Sequence, residues 1–578
     1  MIGVLLSRFL VLPLAAIVFC SSVAHAGNDA VSDAVEALQR GDVSSAEQTL
    51  RSELQRQPND VTALGVLGVV LDQEKKFAEA DAVYRRALAA SPHSAALLNN
   101  FGNHLLTTGT LAEARKVFLE VLAVDPGQAN AKVQLATIAL RMKSPQEALH
   151  YLDRLPSEAQ EAPAVAMLMG LALSSLKQYS KAETFFERVV KAQPDNFEAL
   201  YDLGLAASRA GHKERAREVL AKALKQQPGN VDAQYDLAAV NAELNHKDAA
   251  LEILARAAQQ APQRADVQAL MAHISFDLGY FGDAARAWDR YTNLAPGDDT
   301  GQRERGFAEA ALGQQPDAGL GDLKWFVQKH PNDAIGHYEL GTAESAGNPD
   351  EAERELSRAL ALKPDFGPAR FARGLLNYRR GKPELALADF EFAAAHEPQD
   401  PAILNRLGET YMDLNRTADA VRVLRRAAAA APGDATILLH FGRALSKTGQ
   451  TQEAAAVFKR CRELGPGSSE LPHPAGLIDF LSLPPAEQRA RYRAGVERTV
   501  QSRPDNIEAQ VRYLEILLDD GKVDEAAATS RKIVSLKPSP AIRSETAQIL
   551  LKAKQPELAK EFLEQGHTPA AEPKAAQR

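Results

Sequence analysis

The residue types that carry most enzyme chemistry occur in this 578-residue chain, but not at catalytic spacings. It has 13 histidines, 75 acidic residues and two cysteines, yet contains no HExxH pair, no CxxC pair and no GxSxG nucleophile turn. The nearest approach to a phosphate-binding loop, Gly374 to Gly381-Lys382, has the wrong spacing and lacks the hydroxyl residue. The sequence therefore predicts a noncatalytic protein without a metal site or a cofactor.

The charge of the chain bears on the class of its partner. The formal net charge is −8 at pH 7, and 45% of the residues are hydrophobic and 25% charged. Binding to the phosphates of a nucleic acid needs a basic stripe. An acidic chain of otherwise ordinary composition therefore predicts protein partners and no nucleic acid.

A proline recurs about every 34 residues through most of the chain. Apart from one double gap of 68, consecutive members lie 33 to 38 residues apart. A small residue such as Gly68 or Ala136 lies ten residues after such a proline, and an alanine such as Ala80 usually lies twelve residues before one. One unit is therefore repeated from end to end, which builds a surface rather than a reaction centre. The prolines are Pro58, Pro92, Pro126, Pro194, Pro228, Pro262, Pro296, Pro331, Pro364, Pro398, Pro432, Pro466, Pro504 and Pro538.

Each unit is predicted to contain two helices. In the second unit Leu64, Leu67 and Leu71 share one helical face, and Ala80 and Tyr84 share another. A glycine or asparagine between these faces ends the first helix with left-handed backbone. The proline ends the second helix because it lacks an N–H and restricts the preceding residue. The predicted left-handed positions are Gly41, Gly109, Gly211, Gly279, Gly313, Gly381, Gly449, Gly521, Asn245 and Asn415.

The complete pattern resembles the tetratricopeptide repeat. A small residue is followed by alanine after twelve residues, an apolar residue after seven more and proline after five more, as in Gly204, Ala216, Ala223 and Pro228. The resemblance covers about residues 27–540, which corresponds to about fifteen units. It implies an all-α, right-handed superhelical solenoid of antiparallel helix pairs, with a concave groove that is lined by the first helices and binds peptides or proteins.

The same resemblance indicates candidate binding residues. When the small residue is counted as position eight, the family places positions five and nine on the groove. Aromatic, amide and charged side chains there suit an extended peptide or a partner helix. Tyrosine at position five is also common in the repeat itself, so a purely structural role is the alternative. The candidates are Asn99, Asn103, Tyr201, Tyr235, Arg303, Tyr338, Phe371 and Asn405. Joint replacement of the four aromatic candidates by alanine is expected to abolish partner capture without unfolding the stack.

Three segments depart from the pattern and are interpreted as degenerate units. They lie near 156–163, where the expected proline is displaced, near 313–322, and at 465–504, which is four residues too long. In the second segment Gly319 replaces the expected alanine and another glycine follows, which is expected to weaken that helix by roughly 1 kcal/mol per glycine. Residues 541–565 are predicted to form a capping helix pair, and 566–578 a disordered tail.

The first 26 residues resemble a secretory signal. Arg8 precedes an apolar run over 9–20, and Ala24 and Ala26 supply the small residues that signal peptidase requires. Cleavage after Ala26 predicts a periplasmic or secreted protein with no membrane span; a retained anchor is the alternative, although the run is short for a span of about 20 residues. Only Cys461 then remains, which excludes an internal disulfide.

Three hypotheses about function follow. The first is a noncatalytic scaffold of the bacterial cell envelope that holds peptides or helices of partner proteins in its groove. The alternative is an accessory subunit of a polysaccharide or secretion machine that binds glycan or presents substrate. Self-association through the open ends of the array is the third, and the predicted capping pair argues against it.

The signal assignment predicts the N-terminus of the mature protein. Mass spectrometry of the protein purified from its native cells is expected to find Gly27 as the first residue, because Ala24 and Ala26 are the small residues that precede a signal-peptidase cleavage site. Recovery of the intact N-terminus from membranes would instead support the retained anchor.

Overall fold

The computed structural model describes residues 29–312, 316–464, 485–538 and 540–565. Within these ranges the chain forms 32 helices and no strand, which confirms the all-α prediction. The predicted leader and tail lie outside the described residues, as do residues 465–484 of the third degenerate segment.

Most helices are 13 or 14 residues long and follow one another through short turns. They are named in chain order: α1 (Asp29–Gln39), α2 (Val43–Arg56), α3 (Val61–Gln73), α4 (Phe77–Ala90), α5 (Ala95–Thr107), α6 (Leu111–Val124), α7 (Ala129–Arg141), α8 (Pro145–Leu152), α9 (Ser157–Gln160), α10 (Pro163–Ser175), α11 (Tyr179–Ala192), α12 (Phe197–Ala210), α13 (Lys213–Gln226), α14 (Val231–Glu243), α15 (Lys247–Gln260), α16 (Ala265–Asp277), α17 (Phe281–Leu294), α18 (Asp299–Leu312), α19 (Pro316–Lys329), α20 (Ala334–Glu344), α21 (Pro349–Leu362), α22 (Gly367–Arg379), α23 (Pro383–His396), α24 (Pro401–Asp413), α25 (Thr417–Ala430), α26 (Ala435–Lys447), α27 (Thr451–Leu464), α28 (Pro485–Ser502), α29 (Ile507–Asp519), α30 (Val523–Ser535), α31 (Pro540–Lys552) and α32 (Pro556–Gln565).

The chain divides into two compact units between Asn245 and His246. In the first unit α1 packs on α2, α3 on α4, and so on through α12 on α13. In the second unit the pairs run from α16 on α17 to α26 on α27, followed by α29 on α30 and α31 on α32. Each unit is therefore a succession of antiparallel helix pairs, and each pair buries its apolar faces on its neighbours.

Left-handed residues end the first helices, as the sequence predicts. Gly211, for example, has φ +91°, and Asn245 and Asn415 have φ 61° and 59°. Every predicted left-handed position that lies in the described ranges has positive φ; Gly313 lies outside them. Lysine occupies the same kind of turn at Lys75 and Lys143, with φ 61° and 59°, which sequence reasoning missed because lysine carries no turn signal.

The small residue of each first helix lies directly against the second helix. A Cβ atom on Gly68 would lie 2.5 Å from the ring of Tyr84, which is itself 1% exposed. Ala80, the alanine twelve residues before the proline, is fully buried. The repeated small residues therefore set the distance between the paired helices.

Several of the prolines that end the units also supply a hydrogen-bond acceptor. The side chain of Gln234 donates to the carbonyl of Pro228 at 2.8 Å, and Gln510 donates to that of Pro504 at 2.9 Å. Arg358, in the next second helix, donates to the carbonyl of Pro331 at 3.3 Å. These bonds satisfy a carbonyl left without an intrahelical partner at the helix end.

The irregular segment at 156–163 contains an extra helical turn. The second helix, α8, spans only eight residues, and the four-residue α9 follows it before α10 begins at Pro163. The side chain of Gln160 donates to the carbonyl of Leu155 at 3.0 Å. The displaced prolines thus flank a short helix that takes the place of the end of the second helix, and the repeat keeps its length.

The glycines of α19 have different surroundings. A Cβ atom on Gly319 would lie 2.5 Å from the carbonyl oxygen of Gly306 and 2.6 Å from the backbone nitrogen of Ala310. One on Gly321 would meet nothing within 4 Å. Gly319 therefore allows α19 to approach the backbone of α18, a stabilising role that the sequence interpretation did not foresee.

We predict opposite effects for alanine at these two neighbouring positions. Gly319→Ala should destabilise the protein by about 1–3 kcal/mol because the new methyl group meets backbone atoms that cannot rotate away. Gly321→Ala, its matched control in the same helix, should stabilise it by about 0.5–1 kcal/mol through helix propensity. Urea unfolding followed by circular dichroism measures both; equal effects of the two substitutions would contradict the close approach.

Candidate functional site

The first helices of unit 1 carry three asparagines in neighbouring positions. The side chain of Asn130, on α7, donates to Oδ1 of Asn99, on α5, at 2.6 Å. Asn103 lies one helical turn after Asn99, and its Oδ1 is buried without a hydrogen-bond partner in the part of the chain that the structure describes. All three residues are half-buried, so this amide cluster combines a bonded pair with an unused acceptor.

Tyr201 and Tyr235 lie further along unit 1. The hydroxyl of Tyr201 donates to Oδ2 of Asp236, on α14, at 2.5 Å, and its ring stacks on Phe197 with 5.7 Å between the centroids. Burial, followed by the neighbouring carboxylate of Asp236, raises the pKa of Tyr201. Tyr201 is buried and Tyr235 half-buried, so Tyr201 connects α12 to α14 and offers little surface.

Arg303 forms a buried ion pair in unit 2. Its Nε lies 3.0 Å from Oε2 of Glu339, on α20, and its Nη2 lies 2.5 Å from Oε1 of Glu304. The guanidinium also lies 5.4 Å from the ring centroid of Phe326. Burial raises the pKa of Glu339, and the charge of Arg303 opposes that shift. The pair holds α18 to α20.

The remaining aromatic candidates belong to the core of unit 2. The ring of Phe371 is 1% exposed and packs against Phe390 with 5.5 Å between the centroids. Tyr338 is 9% exposed and meets Phe366 edge to face at 5.2 Å. Replacing a buried phenylalanine by alanine costs about 3–5 kcal/mol. Because of this burial, joint replacement of the four aromatic residues by alanine is instead expected to destabilise the stack.

Asn405 is part of a hydrogen-bonded chain between α24 and α26. His440 Nδ1 lies 2.9 Å from Asn405 Oδ1, and His440 Nε2 lies 3.1 Å from Oε1 of Glu409. Burial, together with the positive charges of Arg406 and Arg443, lowers the pKa of His440 to about 4. The imidazole is therefore neutral at pH 7, so only one of its two nitrogens carries a proton to donate.

Four of the eight candidates thus bond to the first helix of a neighbouring unit. Their partners lie 31 to 36 residues further along the chain, which is about one repeat. Sequence reasoning missed these partners. The signal that could have identified them is a polar residue of complementary type about one repeat after each candidate. The partners are Asn130, Asp236, Glu339 and His440.

Comparison with known protein families identifies the repeat. Two family models described as tetratricopeptide repeat match residues 34–95, 105–274 and 342–471, more than half of the chain. The chain belongs to the tetratricopeptide repeat family. This confirms the resemblance, while the number of repeats and their handedness stay predictions.

Individual relatives of this repeat protein match it over short stretches. The type IV pilus assembly protein PilF of Pseudomonas aeruginosa is 29% identical over 165 residues, 28% of this chain and 66% of PilF. Protein FlbA of Caulobacter vibrioides is 36% identical over 84 residues, 14% of each chain. In both cases the match spans less than two thirds of the relative.

Solved structures of repeat proteins are also similar. One is YrrB, described as a TPR protein with an unusual peptide-binding site, with 22% identity, a TM-score of 0.29 and coverage of 32% of this chain and 95% of YrrB. The structure of Pseudomonas aeruginosa PilF has 24% identity, a TM-score of 0.33 and coverage of 37% and 96%.

The described residues were also compared with the requirements of a membrane span and of a metal site. No helix in the described ranges is long and apolar enough to cross a membrane. Within the same ranges, no three His, Cys, Asp or Glu side chains are grouped so that they could hold a metal ion.

Asp202 is a buried carboxyl group on α12, next to Tyr201. Its Oδ2 is buried and accepts no hydrogen bond from the described residues. Burial, and to a smaller extent the charge of Glu198, raises the pKa of Asp202 to about 7, from an ordinary value of 3.8. The folded protein therefore binds a proton at this site more tightly than the unfolded chain does.

The raised pKa of Asp202 predicts how the stability of the folded protein depends on pH. Between pH 4 and pH 7 the native carboxyl retains a proton that the unfolded carboxyl has lost, so wild-type stability should fall as the pH rises. Asp202→Asn should remove this fall, matching wild type near pH 4 and exceeding its stability at pH 8 by up to about 4 kcal/mol. Urea midpoints at both pH values test it, with exposed Asp153→Asn as the control. A pH dependence unchanged by Asp202→Asn would contradict the assignment.

Proposed function

We propose that this protein is a noncatalytic scaffold of the bacterial cell envelope that binds an extended segment of a partner protein along the first helices α5 and α7. Arrays of tetratricopeptide repeats typically act as protein-interaction scaffolds, and their stacked helix pairs provide a long continuous surface. The amide cluster of Asn99, Asn103 and Asn130 supports this position for the binding surface.

The unused acceptor of Asn103 is the observation that carries the proposal. A buried acceptor without a hydrogen bond costs about 1–3 kcal/mol. Rotation of the half-buried Asn103 side chain would present this oxygen to a backbone N–H of an extended segment, and the half-buried amides of Asn99 and Asn130 offer further donors and acceptors beside it. Amide groups recognise peptide backbone without requiring charge, which suits a partner segment of varied sequence.

The other candidates are less suited to bind a ligand, because their polar groups already contact neighbouring helices. The polar atoms of Tyr201, Arg303 and Asn405 are engaged with neighbouring helices. A ligand that used them would first have to break these bonds, and breaking a buried ion pair is strongly unfavourable. We therefore assign Tyr201, Arg303, Tyr338, Phe371 and Asn405 to the stability of the array, while Tyr235 is half-buried on α14, away from the proposed surface on α5 and α7.

We also propose that the scaffold acts outside the cytoplasm. The leader-like residues 1–26 support export from the cytoplasm. The similarity to PilF, a pilus assembly protein, covers 28% of the chain and supports a role in assembly at the envelope.

Substitution of the amide cluster tests partner binding. Asn99→Ala with Asn103→Ala should reduce co-purification of cross-linked partner proteins at least about tenfold, because two or three hydrogen bonds of about 0.5–1.5 kcal/mol each are lost. Lys116→Ala, at an exposed position of α6 in the same repeat, is the matched control and should leave capture unchanged. Far-ultraviolet circular dichroism verifies that both variants stay folded.

A site-specific cross-linker locates the surface directly. Benzoylphenylalanine at exposed position 107, one helical turn after Asn103 on α5, should form adducts with partner proteins in native cells, whereas the same group at position 116 should not. Equal labelling from the two positions, or capture that survives the double substitution, would refute the assignment. Adducts containing only a second copy would instead indicate self-association, and specific retention of glycan on a column would support the accessory role.

A further inference from the structure

One group of contacts in unit 2 joins distant parts of the chain. Most polar contacts between its helices connect residues about one repeat apart, as between Arg425 and Glu453. In contrast, Arg512 on α29 bonds to Asp283 on α17, 229 residues away, and Arg503 lies 3.3 Å from Asp248 on α15, 255 residues away. A repeat in a linear array contacts only its neighbours, so these contacts need a separate explanation.

Arg512 is the most enclosed member of the group. Its side chain is 5% exposed, and its Nε donates to Oδ2 of Asp283 at 2.5 Å. The guanidinium carbon lies 3.5 Å from the centroid of the Tyr280 ring, which is a close cation–π contact. Glu508 is 3.6 Å from the same guanidinium. An aromatic face and two carboxylates therefore enclose one arginine.

Arg286 makes a second connection from the α17 side. Its Nε lies 3.0 Å from Glu545 on α31, and its Nη1 lies 3.6 Å from Glu515 on α29. It also pairs with Asp283. Burial alone would raise the pKa of Asp283, but Arg512 and Arg286 hold it below its usual value. The two arginines thus cross-connect α17 with both α29 and α31.

These contacts differ in kind from those between consecutive repeats. Consecutive helices are joined by buried alanine, leucine and phenylalanine side chains, whereas the bonds between α17 and α29 are carried by charged groups and by Tyr280. Removing one partner of a buried ion pair is strongly destabilising. A single reversed charge should therefore open this contact while the packing within each repeat remains.

We propose that α28–α32 (residues 485–565) form a docking module that closes onto α15–α17 of the same chain, with Arg512 as its anchor in a site formed by Tyr280 and Asp283, and that this closure is reversible. We assign this module as the segment that occupies the site, because its Arg512 contacts Tyr280 and Asp283 and its Arg503 adds a contact to α15. Closure covers the edge formed by α15 and α17, so it controls access of other proteins to that edge. This inference does not depend on peptide binding at α5 and α7.

The distance between two spin labels measures closure in the full chain. Exposed Arg290 on α17 and Lys532 on α30 are replaced by cysteine for labelling, with Cys20→Ser and Cys461→Ser to remove the native thiols. Pulsed electron paramagnetic resonance should find one short, narrow distance in the parent protein. Arg512→Asp should shift it to longer and broader distances, and so should Asp283→Arg, which approaches the contact from the other helix.

The double reversal Asp283→Arg with Arg512→Asp separates loss of the contact from local unfolding. It should be more closed than either single variant, with helicity by circular dichroism unchanged throughout. The proposal fails if neither single reversal changes the distance, or if the double variant is no more closed than the singles. A mixture of singly labelled molecules should show no short distance; if it does, the module docks onto a second copy and closure within one chain is wrong.

Discussion

The close approach of the two helices in each repeat is the constraint on which the rest of this structure depends. At Gly68 the first helix lies so near the second that a single added methyl group would overlap the ring of Tyr84. The same approach at Gly319 brings two helix backbones almost into contact. Because every pair is held at this short distance, its remaining faces are available to bury against the next pair, and the array can lengthen without a larger central core.

Regular spacing then places complementary side chains of successive repeats opposite each other. On the second helices, Arg51 lies 2.6 Å from Glu79 and Arg85 lies 3.0 Å from Glu113, each pair 28 residues apart. Such exposed pairs contribute at most about 1 kcal/mol each. On the first helices, the same regularity produces more buried contacts, such as Tyr201 with Asp236. A polar side chain on this face therefore either connects neighbouring repeats or remains available to a ligand, and most of the candidates have the first role.

The sequence predicted the helices better than the functional surface, for physical reasons. Proline, glycine and asparagine determine backbone geometry locally, so the ends of the helices could be located from residue type alone. Lys75 and Lys143 were not predicted to be left-handed, because this conformation is imposed by the packed helices on either side and not by the residues' own preference. Positions five and nine of the repeat likewise indicate a helix face but not its burial. Asn103 has an unused acceptor, whereas Phe371 is enclosed by its neighbours.

The contacts of Arg512 show what a repeat pattern cannot predict. Periodicity determines which residues meet across one repeat, but a contact over 229 residues depends on small rotations that accumulate over many helix pairs. The residues involved also break the pattern: Tyr492, on α28, takes the place of the usual alanine, and burial raises its pKa beside Arg512 and Asp283. An irregular repeat loses some packing against its neighbours and gains side chains that can contact a distant one. Arg503, at the end of the irregular segment, contacts Asp248, so this segment adds to the long-range contact that Arg512 makes from the following helix.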